Sequence, residues 1–308
     1  MLTLGFDTSN YTTSCALLDG MHGESIRQLL DVPEGALGLR QSDAVFAHIK
    51  RLPELSDRLF AFLNGRKPDA IGVSTRPRAV EGSYMPCFLV GVCAARTLAS
   101  AWNVPLIEVS HQQGHIAAAL WSSGRLELLD QPHLAWHLSG GTTELVLAEP
   151  ERGNLRCRRI GGTTDISAGQ LIDRTGKLLG LAFPSGMMLD KLALGAARRD
   201  FFRVRIKELQ FSLSGVENQV MTYQLKYGEP TETAAYALRT VVRTIYAATA
   251  QAVEQYAGLP VVFSGGVASN RMLREEFQGE NRIFAAPEYS TDNAMGVAVM
   301  AARLCGTS

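Results

Sequence analysis

The chain lacks an excess of either charge. Its 30 Lys and Arg residues cancel its 30 Asp and Glu residues. That removes the strongest electrostatic argument for a dedicated nucleic-acid binder, although a local basic patch on a neutral protein is enough to dock a phosphate backbone. Cysteine is scarce. Cys15, Cys87, Cys93, Cys157 and Cys305 are odd in number, form no CxxC pair and lie mostly in apolar segments. They read as buried free thiols of a reducing compartment, not as a disulfide framework. No run approaches the ~20 apolar residues that a membrane span needs. The opening Met1-Leu-Thr-Leu-Gly5 enters a strand with no basic leader or cleavage site. These absences predict a cytoplasmic protein with no membrane partner.

What is present is a globular composition. Hydrophobic residues make up 46% and charged residues 19% of 308, enough for about two domains with sizeable cores. Strand and helix signals alternate: a strand over Leu2 to Asp7, its hairpin partner over Thr13 to Leu18, helical periodicity over Ala44 to Leu63 interrupted at Pro53, a strand over Ala70 to Ser74, a helix over Gly91 to Trp102 and a strand over Val104 to Val109. That order predicts an α/β protein with helices packed on sheet faces.

The most informative motif is His111-Gln-Gln-Gly-His115, followed far downstream by Ser290-Thr-Asp-Asn293. Histidines four apart on a helix share one face and can grip one divalent ion, with Asp292 as the third ligand. The same spacing also suits a hydrogen-bonded surface pair. His133 and His137 repeat the spacing in a segment that reads as a strand, where they lie roughly 13 Å apart and cannot share an ion.

A second hairpin, Leu134 to Leu138 and Glu144 to Ala148, turns through Ser139-Gly-Gly-Thr-Thr143. The first turns through Thr8-Ser-Asn-Tyr-Thr-Thr13. Two such hairpins suggest a duplicated α/β unit. Their hydroxyls and backbone N–H groups suit a phosphate chain clamped between two lobes, or form ordinary turns. A third loop, Ser264-Gly-Gly-Val-Ala-Ser-Asn270, ends an apolar run and opens a helix near Asn270. It is neither a Walker loop nor GxGxxG, so the simplest kinase and dehydrogenase motifs are absent.

Taken in order, Gly5-Phe-Asp-Thr-Ser9, His111 to His115, Ser139-Gly-Gly141, Asp173-Arg-Thr-Gly-Lys-Leu-Leu-Gly-Leu181, Phe183-Pro-Ser-Gly186, Phe211-Ser-Leu-Ser-Gly215, Ser264 to Asn270 and Ser290 to Asn293 resemble one family across almost the whole chain. It is the tRNA N6-adenosine threonylcarbamoyltransferase family, once labelled O-sialoglycoprotein endopeptidase. The resemblance implies a duplicated two-lobed fold of the actin, sugar-kinase and chaperone-ATPase type (ASKHA). It implies residues 1–110 plus 290–308 as an N-terminal lobe and 111–289 as a C-terminal lobe, with nucleotide and metal in the cleft. It implies one divalent metal, iron or zinc, on His111, His115 and Asp292. It places an adenylate or ATP-type nucleotide with His137, Leu138, Ser139, Gly140 and Gly141 on the phosphate side and Asp173, Gly186, Asp190 and Asn270 on the nucleoside side. It implies tRNA as acceptor, and a protein partner or second copy docked on the N-terminal lobe.

This sequence departs from the family pattern on the acceptor side. An Asp-Glu pair after the first Thr-Ser is Tyr11-Thr12 here; a His is Thr142, the Gln after it Glu144, a Glu is Gln170, and a Lys is Glu217. A carboxylate pair could have oriented the attacking amine, and Glu217 would weaken contact with an RNA phosphate facing it. Three readings follow: a tRNA transferase, a paralogue that carbamoylates another acceptor, and a non-catalytic nucleotide-binding subunit that supports a true transferase. No catalytic residue is assigned. The peptidase label is disfavoured because a zincin carries Glu directly after its first His, and Gln112 cannot serve as that base.

Overall fold

The computed structural model describes residues 1–9, 11–31 and 39–306. These fall into two units, residues 1–132, 149–157 and 291–308 in one and residues 133–148 and 158–290 in the other.

The first unit opens with Leu2–Asp7 (β1), Thr12–Asp19 (β2) and His22–Leu29 (β3), followed by Gln41–Phe60 (α1), Ala70–Arg76 (β4), Phe88–Trp102 (α2), Leu106–Ser110 (β5) and His111–Ser122 (α3). The last helix of the chain, Met295–Gly306 (α10), belongs here too. The sheet order is β3-β2-β1-β4-β5, with β1 antiparallel to β2 and parallel to β4. Period-two alternation splits β1 between two faces. Leu2, Leu4 and Phe6 join Leu52, Leu55 and Leu59 of α1 and Ala95 and Ala99 of α2 in one core. Thr3 and Gly5 face α10, where the Thr3 hydroxyl donates to the Ala298 carbonyl at 2.9 Å. A Cβ at Gly5 would lie 2.5 Å from the Ala294 carbonyl oxygen, so glycine is what lets α10 lie flat on the sheet.

The second unit repeats the plan. It contains His133–Leu138 (β6), Thr143–Glu151 (β7), Asn154–Thr163 (β8), Ala168–Leu178 (α4), Gly186–Leu192 (α5), Gln210–Phe211 (β9), Ser214–Tyr227 (α6), Pro230–Gln255 (α7), Val261–Ser264 (β10), Arg271–Glu276 (α8), Arg282–Phe284 (β11) and Pro287–Ser290 (α9); residues 149–157 of the β7–β8 hairpin count with the first unit. Its sheet runs β8-β7-β6-β10-β11 with β9 added beyond β8, the same strand order as the first sheet. The duplication read from two hairpins is therefore a duplication of topology. Trp136 is fully buried at the centre of this core, and its indole N–H donates to the Thr249 hydroxyl at 2.8 Å. No helix among the described residues is long and apolar enough to cross a membrane.

Several expectations change. Helix α1 continues through Pro53. Pro53 removes one hydrogen bond, but it lies on the solvent side, as does Ile49 one turn before it, so water can take up the freed carbonyl. The third strand of each unit, β3 and β8, was not foreseen. β3 is an edge strand with no fully buried residue and hence a weak hydrophobic signature. The chain divides after Pro132, where the sequence reading placed the boundary after Ser110. The reason is α3: its Gly114 carbonyl meets Gly296 of α10 so closely that a Cβ on Gly296 would sit 1.8 Å away, which ties the His111 helix to the first sheet.

Candidate metal centre and ligand loops

The first cluster starts with a helix cap. Ser110 ends β5, its hydroxyl accepts from the Gln113 backbone N–H, and the Gln113 side chain accepts from the Ser110 N–H, a capping box that fixes where α3 begins. His111 is thus the first helical residue and His115 lies one turn on. The Gly114–Gly296 contact brings the start of α10 alongside, and with it Asp292. The side chains converge. His111 Nε2 is 3.0 Å from His115 Nε2, His115 Nε2 is 3.2 Å from Asp292 Oδ1, and His111 Nε2 is 3.6 Å from the same oxygen. Behind them Asp7, buried at the end of β1, accepts a 2.8 Å hydrogen bond from His111 Nδ1. Thr12 donates to Asp292 Oδ2 at 3.4 Å.

This arrangement fits a divalent metal. With Nδ1 of His111 donating to Asp7, its Nε2 carries a lone pair aimed at the His115 Nε2 and Asp292 Oδ1 atoms. Three such atoms repel unless a cation or a proton lies among them. Neighbouring ligand atoms about 3–3.5 Å apart are what bonds of about 2.0–2.2 Å produce. A carboxylate behind a ligating histidine, as Asp7 stands here, fixes the tautomer and raises ligand basicity. The electrostatics make the same demand. Burial opposes charging His111, but Asp7 first and Asp292 next more than offset it and push its pKa up to about 10. Burial and then the His111 charge hold His115 below its usual value. Burial would raise Asp292, yet the two histidines carry it well below the ordinary carboxylate range. A proton on His111, or a metal in its place, supplies a positive charge between Asp7 and Asp292.

The residues predicted for a nucleotide lie in the second unit and behave differently. The turn after β6 is closed by the Ser139 N–H donating to the Thr142 carbonyl and the Thr142 N–H to the Ser139 hydroxyl. Gly140 and Gly141 are exposed, and a Cβ on either would meet open space. The Gly140 carbonyl accepts from the Ser167 hydroxyl at 2.6 Å, and Gly169 of α4 packs so tightly beneath that its Cβ would lie 2.5 Å from Gly140 Cα. His137 and Leu138 are buried in β6, and His133 and His137 are strand residues as read. Asp173 on α4 accepts from the Ser185 N–H at 2.8 Å, which positions the turn into α5 and Gly186, its first residue; burial raises its pKa. Asp190 accepts from the Asn270 amide at 3.0 Å and from the Arg271 N–H at 3.1 Å, while the Asn270 oxygen caps α8 by accepting from the Leu273 N–H at 3.0 Å. Asp190 and Asn270 are brought together and partner each other.

The departures have structural accounts as well. Gln170 forms a capping box with Ser167 at the start of α4. Glu217 pairs with Arg174 at 2.6 Å, which neutralises the acid that had been set against an RNA contact. Asn10, in the first turn, lies outside the described residues. Asp7 was missed as a functional residue, although an Asp at the end of a buried strand, just before Thr-Ser, is a signal of its own. Thr8, at the start of the first turn, donates to the Cys87 carbonyl and accepts from the Gly91 N–H.

A family model described as tRNA N6-adenosine threonylcarbamoyltransferase (TsaD) matches residues 36–299. The chain belongs to this family. A member from Syntrophobacter fumaroxidans is 31% identical over 98% of this chain and 94% of its own length, and one from Anaeromyxobacter sp. (strain Fw109-5) is 35% identical over 75% of this chain and 71% of its own. Among solved structures, full-length HypF in its phosphate- and nucleotide-bound form has a TM-score of 0.64 at 15% identity, covering 99% of this chain and 55% of that one. The activator of 2-hydroxyisocaproyl-CoA dehydratase from Clostridium difficile has a TM-score of 0.54 at 14% identity, covering 98% and 94%. The chain shares the ASKHA fold of these neighbours, and its repeated sheet order agrees with that.

Proposed function

We propose that the chain transfers a threonylcarbamoyl group from an adenylate to the exocyclic amine of a tRNA adenosine, with one divalent metal, iron or zinc, held by His111, His115 and Asp292. The observation that carries this reading is the convergence of the two Nε2 atoms and Asp292 Oδ1 with Asp7 behind. When bound, the metal supplies a Lewis-acidic grip on a phosphate or carbamoyl oxygen. The chain's own residues do the rest. The open backbone at Gly140 and Gly141 takes the phosphate side. Asp173 offers an oxygen to ribose hydroxyls, Gly186 lets the sugar approach, and the Asp190–Asn270 pair holds the third loop in position. In the transfer the amine nitrogen bonds to the carbamoyl carbon, the bond to the phosphate oxygen breaks, AMP leaves, and the amine gives up one proton. Such a protein works in the cytoplasm, with a partner protein or a second copy on the unit that carries β1. It is not a peptidase, since Gln112 is buried and amidic.

A second reading, the same chemistry on another acceptor, is favoured by Thr12. Its hydroxyl stands beside Asp292 at a position where the family pattern has a carboxylate. The deciding test is transfer of labelled threonylcarbamoyl from its adenylate to unmodified tRNA, with the protein alone and with the family's partner proteins. Product supports the first reading. Metal-dependent binding of the adenylate without product supports the second. Asp292→Ala should empty the metal site, and full metal occupancy in that variant would refute the ligand assignment.

A further inference from the structure

Between α5 and β9 the second unit carries a segment with no helix or strand of its own. Residues 198–207 read Arg-Arg-Asp-Phe-Phe-Arg-Val-Arg-Ile-Lys, five cations and one acid in a protein whose 30 cations and 30 acids balance overall. The segment is ordered by alternation. Phe202, Val204 and Ile206 pack against the core around Trp136, and the Phe202 N–H donates to the Thr240 hydroxyl of α7 at 2.9 Å. Arg203, Arg205 and Lys207, between them, are exposed. At its end the chain reverses through Glu208 and Leu209, both with positive φ (51° and 61°), and Lys207 and Gln210 exchange backbone hydrogen bonds of 2.9 Å across the turn. Leu209 is a bulky residue in a left-handed conformation, disfavoured on its own. Burial of its side chain beside Gly161 holds it there. The alternation of the strip is therefore fixed from both ends.

The cations are not neutralised locally. Among the described residues, Arg203, Arg205 and Lys207 have no ion-pair partner. Two nearby acids are committed elsewhere, since Asp200 accepts from the Tyr223 hydroxyl and Glu232 accepts from the backbone N–H groups of Ala197 and Arg198; the third, Glu208, is exposed in the turn after Lys207. Arg198 lies over the Tyr227 ring at 3.9 Å. Arg199 is close enough to Arg239 of α7 that, after burial, it is the next cause holding Arg239 below its ordinary value. Crowded, unpaired like charges point to an anionic partner.

We propose that residues 198–207 form a docking strip for an RNA backbone, with Arg203, Arg205 and Lys207 each meeting a phosphate; the inference rests on the reading of this chain as one that acts on tRNA. Side chains two apart on an extended segment emerge at intervals of about 6.8 Å in a line. That is a row of charges, suited to the regular anions of one nucleic-acid strand, and the guanidinium fork suits phosphate. A membrane-binding segment would set a row of apolar side chains beside its cations, whereas Phe202, Val204 and Ile206 are turned inward and Phe201, covered on one face by Arg243, is the one exposed apolar side chain of the strip.

The test measures binding of an unmodified tRNA transcript to the full chain at stepped salt. It compares wild type with Arg203→Gln/Arg205→Gln/Lys207→Gln and with a control, Lys50→Gln/Lys67→Gln/Arg96→Gln, that removes three exposed cations of the other unit. Each phosphate contact contributes about 0.7–0.9 to the slope of log K against log salt, so the strip variant should lose roughly two units of slope and at least tenfold in affinity at 0.1 M salt. The control should change neither. An unaltered slope in the strip variant overturns the proposal, as does an equal loss in the control. Strip-dependent binding to phosphatidylserine vesicles or polyglutamate, with tRNA binding unaffected, also overturns it. If the triple variant is poorly folded, the single variants should each lose about one contact's worth of slope. Failures of the two readings separate in the transfer assay. Transfer with an unchanged KM for tRNA in the strip variant defeats the strip alone, and strip-dependent tRNA binding with no transfer by wild type defeats the function alone.

Discussion

The His111–His115–Asp292 cluster, legible from helical spacing, and the Asp173–Asp190–Asn270 loops, implied only by the family resemblance, are built in opposite ways. In the first, two imidazole nitrogens and a carboxylate oxygen converge on one point, where a proton or a cation joins them. In the second, nearly every polar atom already has a complementary partner within the protein. A buried polar group with a matching partner holds backbone in place; one aimed at its own kind waits for a ligand. Motif residues are of both kinds, and their spacing does not tell them apart.

The sharpest way to break the first cluster avoids its ligands altogether. Gly296→Ala places a Cβ 1.8 Å from the Gly114 carbonyl oxygen, a backbone atom that cannot swing aside. Helices α3 and α10 must separate, and His111 and His115 move away from Asp292. Overpacking of this kind costs about 1–3 kcal/mol or more, so a fall in Tm of several degrees with loss of metal binding is expected. Retained metal affinity would show that the contact does not position the site.

A second test exploits the proton that stands in for the metal. His111 is charged up to about pH 10 without metal. Its pKa is raised on folding, so its contribution to the stability of the metal-free protein is complete below about pH 6.5 and is lost as the pH rises through 10. Metal binding runs the other way, since the ion must displace that proton. Affinity should rise up to about tenfold per pH unit from 7 to 9, with one proton released per metal bound. Asp7→Asn removes the charge that holds the proton and the oriented acceptor behind the ring. Affinity at pH 9 should fall about 10–100-fold and the slope between pH 7 and 9 should flatten. Isothermal titration in two buffers of different ionisation enthalpy reports both, and an unchanged slope in Asp7→Asn would remove Asp7 from the site.

Several elements were legible: β1, the helix beginning at His111, the strand holding His133 and His137, and the Asn270 cap of α8. The edge strand β3 was not, because a strand that buries little leaves little pattern, and β8, which lies between β7 and β9, was missed although part of it is buried. Pro53 misled for a related reason, since local propensity ignores which side of a helix meets water. The histidine pair was visible as spacing, but Asp7 stands 104 residues before His111, and only the fold brings them together. Gly114 and Gly296 looked like ordinary small residues until the helix crossing gave each a purpose.

The second cluster yields the smallest and most discriminating prediction. Asn270→Ala removes an N-cap and the partner of Asp190 together, so it should cost about 1 kcal/mol of stability and weaken the adenylate only as the loop loosens. Asp173→Asn should do the reverse. The amide oxygen can still accept from the Ser185 N–H, and the change removes a carboxylate whose charged form burial already disfavours. Thermal stability should therefore hold or rise slightly. If the second carboxylate oxygen meets ribose hydroxyls, adenylate affinity should fall by about tenfold, the worth of one charge-assisted hydrogen bond. A melt paired with an adenylate titration on both variants separates a residue that holds the loop from one that holds the ligand. Equal losses of stability in the two would mean that Asp173, like Asn270, only supports the fold.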